Sequence, residues 1–182
     1  MTLYHDREWG VPLHDDQRLF EFLLLDGFQA GLSWAIVLHK RELMRSLFAG
    51  FDMEKIARFD RRRLERILAV PGMIRNRAKV QAAVANARAA LKLREEFGSL
   101  DSFFWRFVGG KTIHYHRRRA SDWPAESRES RLMSQELKRR GFSFCGPVIC
   151  YAFMQAAGLV NDHLVSCFRH QEIKYLCRGG RS

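Results

Sequence analysis

Apolar residues recur at intervals of three and four along most of the chain, with Ser or Asp ahead of many runs and Gly behind them. That spacing marks helices that bury one face, so the pattern predicts an all-α fold. Asp15 or Asp16 can cap a first long helix whose Leu19, Phe20, Leu23 and Leu24 form a stripe that Asp26-Gly27 should stop. Ser33 can cap a second, with Val37, Leu38, Met44, Leu47 and Phe48 facing inward. Asp52 and Asp60 are caps for two short helices, the later one running through Leu64, Ile67 and Leu68 to a break at Pro71-Gly72. Ile74 to about Leu93 is Ala-rich and free of Gly and Pro, which predicts a long helix.

Ser99 to Val108 is rich in aromatic residues and reads as a buried helix, after which Gly109 to Ser130 loses periodicity and reads as a loop. Within it Thr112 to His116 alternates faintly like a strand, though five residues alone would be marginal. A basic helix should run from Leu132 to Gly141, an apolar one from Pro147 to Gly158, and a last one should follow Asp162. No internal repeat or linker divides the chain, so one helical domain is expected over 1–177, with 178–182 as a flexible tail.

A hydrophobic fraction of 47% over 182 residues can build a core without disulfides, and the four cysteines lack paired spacing and read as reduced thiols. No apolar run reaches the roughly 18 residues of a membrane span, and Met1 to Asp6 has no signal pattern, so a cytoplasmic protein with no membrane partner is expected. Charge adds a partner class: 31 Lys+Arg against 20 Asp+Glu gives +11, which suits either a solvated surface or a polyanion. The charge is concentrated between Arg58 and Lys79, where only Asp60 and Glu65 oppose the basic residues.

That basic segment brackets Pro71-Gly72 in the order helix, tight turn, helix, the spacing of a helix-hairpin-helix. Pro71 fixes φ, Gly72 permits close backbone approach, and the amides opening the next helix from Met73 onward can meet a phosphate. Arg75, Arg77 and Lys79 would add charge to that grip. An ordinary helix-to-helix turn has the same spacing; the flanking charge favours DNA, without sequence specificity.

Two further segments, Tyr4-His5-Asp6-Arg7-Glu8-Trp9-Gly10-Val11-Pro12 and Asp26-Gly27-Phe28-Gln29-Ala30-Gly31-Leu32-Ser33-Trp34, gather aromatic and acidic residues that helix packing alone does not explain. An enzyme acting on a DNA base extrudes it, then holds it by stacking and by hydrogen bonds to its edge. Aromatic faces and one carboxylate could do so, although on spacing alone Trp34 fits a core residue and Asp26 a helix-end polar group. Together with Ile-Arg-Asn-Arg, Lys-Arg-Gly-Phe and Asn-Asp-His, these segments resemble the 3-methyladenine DNA glycosylase I family from Tyr4 to about His170.

The resemblance implies helical lobes around a base-binding cleft, in the helix-hairpin-helix DNA glycosylase fold, and excision of 3-methyladenine from alkylated double-stranded DNA; a monomer is expected. Tyr4 and Trp34 would pack on the flipped base and Asp26 would accept hydrogen bonds from its edge, as the catalytic residue. Well-known bacterial members carry Glu at that position, one methylene longer. Leu32 would sit near the gap the flipped base leaves, or else is a core leucine.

Related glycosylases commonly place a catalytic Asp on the helix after the hairpin, yet this chain has no acid between Gly72 and Glu95. A mechanism relying on a cationic, already good leaving group follows, and neutral bases such as hypoxanthine should be poor substrates.

His163 and Cys167 are spaced i, i+4 on the expected last helix, where they could face one cation with His5, or could simply be packed. The resemblance assigns these three positions to a structural zinc. Its fourth ligand is a Cys upstream of the Tyr-His-Asp segment, absent from a chain that begins at Met1, so an amino-terminal truncation or a misassigned start codon is expected. The competing readings are a non-catalytic helix-hairpin-helix DNA-binding protein with an incomplete pocket and a basic helical interaction module.

Overall fold

The computed structural model describes residues 1–179. A short α1 (Thr2–Arg7) leads by an extended stretch into α2 (Asp16–Gln29), where the Asp15 side chain accepts from the Arg18 amide as its cap. From Leu19 to Phe28 every residue of α2 is buried, so this helix is the axis of the core. It does not stop at Asp26-Gly27. A Cβ on Gly27 would come within 3.4 Å of the Phe144 carbonyl oxygen, so the glycine here permits close packing rather than ending the helix. The chain turns instead at Ala30-Gly31, with Gly31 at φ +75.

The second expected helix is divided at Lys40 into α3 (Trp34–His39) and α4 (Arg41–Leu47), with Val37, Met44 and Phe48 buried. Ser33 occupies the cap position of α3 without a side-chain bond. Asp52 and Asp60 do cap α5 (Met53–Ala57) and α6 (Arg61–Ala69), accepting from the Lys55 and Arg63 amides. The Pro71-Gly72 turn follows, Gly72 taking φ +84. α7 (Arg77–Phe97) begins three residues later than its apolar pattern suggests, because the Asn76 side chain accepts from the Lys79 amide and fixes the start. Its Val80, Ala83, Ala87, Ala90 and Leu93 form the buried stripe.

α8 (Leu100–Trp105) is the aromatic helix expected there. The faint strand is real but minimal: β1 (Ile113–His114) precedes α9 (Arg128–Arg139) and α10 (Pro147–Ala156), then pairs in parallel with β2 (Val160–Asn161). Ile113 lies opposite Val160 and His114 opposite Asn161. Ser127 caps α9 through a capping box with Ser130, so the helix begins at Arg128, four residues ahead of Leu132.

The last helix, α11 (Phe168–Gly179), does not follow Asp162 directly. The Asp162 carboxylate is occupied by Arg117, Tyr151 and Gln155 and cannot cap. The backbone of 178–179, expected as tail, continues α11, and 180–182 lie outside the described residues.

The core is aromatic, with Phe20, Phe22, Phe28, Phe48, Phe51, Phe103, Phe104 and Phe153 fully buried. Each contributes about 1.5–3 kcal/mol relative to exposure. All four cysteines are free thiols, and among the described residues no helix is long and apolar enough to cross a membrane.

Two contacts fasten the amino-terminal segment to this core. Arg41 donates to both oxygens of Glu8 and to the buried Glu21, and the Leu13 amide donates to the Ala157 carbonyl at 3.1 Å. Arg41 and Glu21 are buried while Glu8 is partly exposed, so losing Glu8 costs less than the roughly 3–5 kcal/mol of a fully buried pair, yet it would leave the buried Arg41 with one partner fewer.

Candidate active site

That anchored segment closes a cavity of about 210 Å³ whose lining includes Tyr4, Trp9, Asp26, Gln29, Trp34 and Gln155. Tyr4 comes from α1, Asp26 from the last turn of α2, Trp34 opens α3, and Gln155 comes from α10. The rings of Tyr4 and Trp34 lie 5.3 Å apart at 48°. Tyr4, Asp26 and Trp34, singled out in the sequence, are therefore brought together in one place.

Among the described residues, five buried side-chain polar atoms lack a hydrogen-bond partner, and two of them, Asp26 Oδ2 and Trp34 Nε1, belong to this cavity. Buried polar atoms are nearly always paired, and each unpaired one costs about 1–3 kcal/mol. A vacant acceptor and a vacant donor beside aromatic faces are therefore available to a polar aromatic ligand.

Asp26 is 3% exposed, and burial pushes its carboxyl well above the usual carboxylate range. Burial first, then the charges of Asp26 and Glu8, push the Tyr4 phenol upward, so Tyr4 is a neutral hydroxyl.

Trp9, Gln29 and Gln155 were not singled out from the sequence. Trp9 was visible within the Tyr-His-Asp-Arg-Glu-Trp segment, and Gln155 as the polar exception in an otherwise apolar helix.

The residues expected to meet DNA divide into two groups. Leu32 is half-buried in the turn after Gly31, Gly72 is exposed, and Arg75 is exposed with no ion pair among the described residues. Arg58, Arg62 and Arg66 are exposed and unpaired in the same sense. Arg77 is held by both oxygens of Glu65.

Met73 and Lys79 depart from the expectation. Met73 is 5% exposed and its amide donates to the Val70 carbonyl, so it fills core beneath the turn. Lys79 is 6% exposed and its ammonium donates to the carbonyls of Phe28, at 2.7 Å, and Ala30, so it cannot also grip a phosphate. Burial lowers its pKa. Its work is internal: it satisfies the carbonyl end of α2 and ties the Gly31-Leu32 turn to α7.

His5, His163 and Cys167 offer three ligand atoms within 4.8 Å of one another. Cys167 Sγ lies 3.7 Å from His5 Nε2 and 3.7 Å from His163 Nδ1. They are not brought together by helical spacing as expected: both His163 and Cys167 precede α11, in a turn closed by the Cys167 amide on the Leu164 carbonyl.

The second-sphere contacts suit a metal. His163 Nε2 donates to the Trp9 carbonyl at 3.0 Å, which leaves the Nδ1 lone pair toward Cys167. His5 Nδ1 is likewise taken by Asp6 at 2.7 Å, which leaves Nε2. Burial pushes His163 down to about 4, so its imidazole is neutral at physiological pH. Two imidazole nitrogens and a thiolate form a zinc-type donor set.

A helical fold around an aromatic cavity with an unpaired acid has the architecture of an all-α DNA glycosylase, and comparison with known proteins narrows the class. Residues 1–170 match the methyladenine glycosylase family, and the chain belongs to it. DNA-3-methyladenine glycosylase 1 of Escherichia coli (strain K12) is 46% identical over 164 residues, 90% of this chain and 88% of that protein. The DNA-3-methyladenine glycosylase of Haemophilus influenzae is 44% identical, over 90% and 89% of the two chains. A crystal structure of 3-methyladenine DNA glycosylase I superposes with a TM-score of 0.90 at 46% identity, covering 92% of each chain. The Staphylococcus aureus enzyme, whose structure addresses 3-methyladenine recognition, superposes with a TM-score of 0.89 at 37% identity, covering 91% and 88%.

Proposed function

We infer that this chain is a DNA glycosylase that hydrolyses the N-glycosidic bond of 3-methyladenine in alkylated double-stranded DNA. The observation that carries the reading is the pair of vacant polar atoms, Asp26 Oδ2 and Trp34 Nε1, in one aromatic cavity of a methyladenine glycosylase family member.

Methylation at N3 makes the base cationic. When the bond from the sugar carbon to N9 breaks, its electron pair returns to a positive ring, the base leaves neutral, and water supplies hydroxide to the sugar carbon and a proton to solvent. No general acid is needed at the leaving group. The residues therefore act by recognition. The rings of Tyr4 and Trp34 meet the base faces, and an entering cation favours the ionised form of the buried Asp26, which a neutral base does not. Asp26, which would touch the base, is the catalytic group.

The duplex would be gripped by the Pro71-Gly72 helix-hairpin-helix and by exposed Arg75, with Leu32 at the gap. Release assays on duplexes test the reading: free 3-methyladenine is expected from methylated DNA and no hypoxanthine from an inosine-containing duplex. Efficient hypoxanthine release would sink the leaving-group mechanism.

We further propose that His5, His163 and Cys167 hold a structural zinc ion in a monomeric, cytoplasmic enzyme. When bound it would tie α1, which carries Tyr4, to the turn before α11. Metal analysis of protein reconstituted with zinc should give about one equivalent, lost in Cys167→Ser; no zinc after reconstitution would refute the ligand set.

A further inference from the structure

Asp162 stands outside the base cavity but controls one of its walls. Its fully buried carboxylate accepts from Tyr151 Oη at 2.5 Å, from Gln155 Nε2 at 2.9 Å and from Arg117 Nε at 3.0 Å. Its backbone carbonyl accepts from Trp123 Nε1 at 2.9 Å, and the Trp123 ring stands edge-on to Trp9 at 6.2 Å. One residue thus orients both a cavity glutamine and the support behind a cavity tryptophan.

A carboxylate facing three donors is acceptor only, so the Gln155 side chain must turn its NH₂ toward Asp162. Its carbonyl Oε1 has no partner among the described residues, and Gln155 lines the cavity. The amino group of an adenine carries two hydrogens. Asp26 Oδ2 can accept one, and a second acceptor in the same cavity would match the other. Positive charge on a methylated ring makes those hydrogens stronger donors.

We propose that Gln155 is a second reader of the base's amino edge, locked in its accepting orientation by Asp162. The assignment rests on the 3-methyladenine activity inferred above, and makes Gln155 a specificity-determining residue and Asp162 a positioning residue.

The test titrates free 3-methyladenine, and an N3-methylpurine lacking the amino group, into intact protein by tryptophan fluorescence. Wild type should prefer the amino-bearing base. Gln155→Met keeps the length of the side chain but removes the acceptor. It should weaken 3-methyladenine binding roughly 10- to 100-fold while changing binding of the amino-free analogue and of undamaged duplex by less than about twofold. Asp162→Asn should reproduce the selective loss, because its own amide can donate to Gln155 Oε1 and let the glutamine turn.

Retained preference in both variants, or equal loss of both ligands in both, overturns the assignment. A wild-type protein that releases no 3-methyladenine from methylated duplex defeats the activity reading itself, whereas active wild type with an unaltered Gln155→Met defeats the role of Gln155 alone.

Discussion

In the aromatic cavity, Asp26 Oδ2 and Trp34 Nε1 are sealed from water without partners, whereas around Pro71-Gly72 the polar groups that go inside are matched and the surplus charge stands in solvent. Lys79, the one cation of that segment that is fully buried, has two carbonyls to hold. On the function proposed above, the contrast separates two kinds of recognition, of a base and of a duplex. Vacant buried groups penalise the empty or wrongly filled cavity and so discriminate between bases. Solvated arginines attract any duplex and discriminate little.

Substituting Asp26→Asn attacks the first region and should have the largest effect. Loss of a hydrogen bond from a charged acceptor, about 1.5–3 kcal/mol, corresponds to a fall of about 10- to 150-fold in single-turnover release of 3-methyladenine. Affinity for undamaged duplex should not change.

The same variant should be more stable than wild type at neutral pH. Burial raises the folded pKa of Asp26, so its protonated form is tolerated below the unfolded value of about 3.9, and folding loses stability as pH rises beyond it. Thermal melts should show the advantage of Asn growing as pH rises above about 4 and closing in more acid solution. An advantage independent of pH would mean that Asp26 is not a buried carboxyl with a raised pKa.

Lys79→Met attacks the matched interior of the second region. It leaves the Phe28 and Ala30 carbonyls unpaired, at about 1–3 kcal/mol, and with roughly 2–4 °C per kcal/mol for a domain of this size the melting temperature should fall by several degrees. The salt dependence of DNA binding should stay as it was; a flatter slope would make Lys79 a phosphate contact after all.

The smallest effect is expected at the surface. Arg75→Ala should weaken all duplexes alike and reduce the slope of log affinity against log salt by about one. Arg77→Ala should do less, since its guanidinium is already engaged by Glu65.

Much of this contrast could be read from the chain itself. The caps Asp15, Asp52 and Asp60 act where their side chains fall, because capping is decided within four residues. Tyr4, Asp26 and Trp34 were found through motifs.

What escaped was decided by contacts distant in sequence. Gly27 reads as a stop until Phe144 packs on it, and a helix is expected directly after Asp162 until Arg117, Tyr151 and Gln155 claim its oxygens. Lys79 reads as a phosphate ligand because charge is visible in a sequence and the direction of a side chain is not. The Asn76 cap, by contrast, was local and could have been found.

Gly158 carries a consequence of another kind. At φ +72, a Cβ there would lie 2.4 Å from the Val11 backbone carbon, so the end of α10 and the amino-terminal arm touch main chain to main chain. That contact brings Tyr4 and Trp9 up to Gln155, which stands nearly the whole length of the chain away. Helices such as α7 form from neighbours, but contacts of such long sequence separation form only after most of the chain's entropy has been surrendered. The cavity is therefore a late product of folding: during refolding, helical signal should return before the ability to bind a base, and recovered activity reports that the two ends of the chain have met.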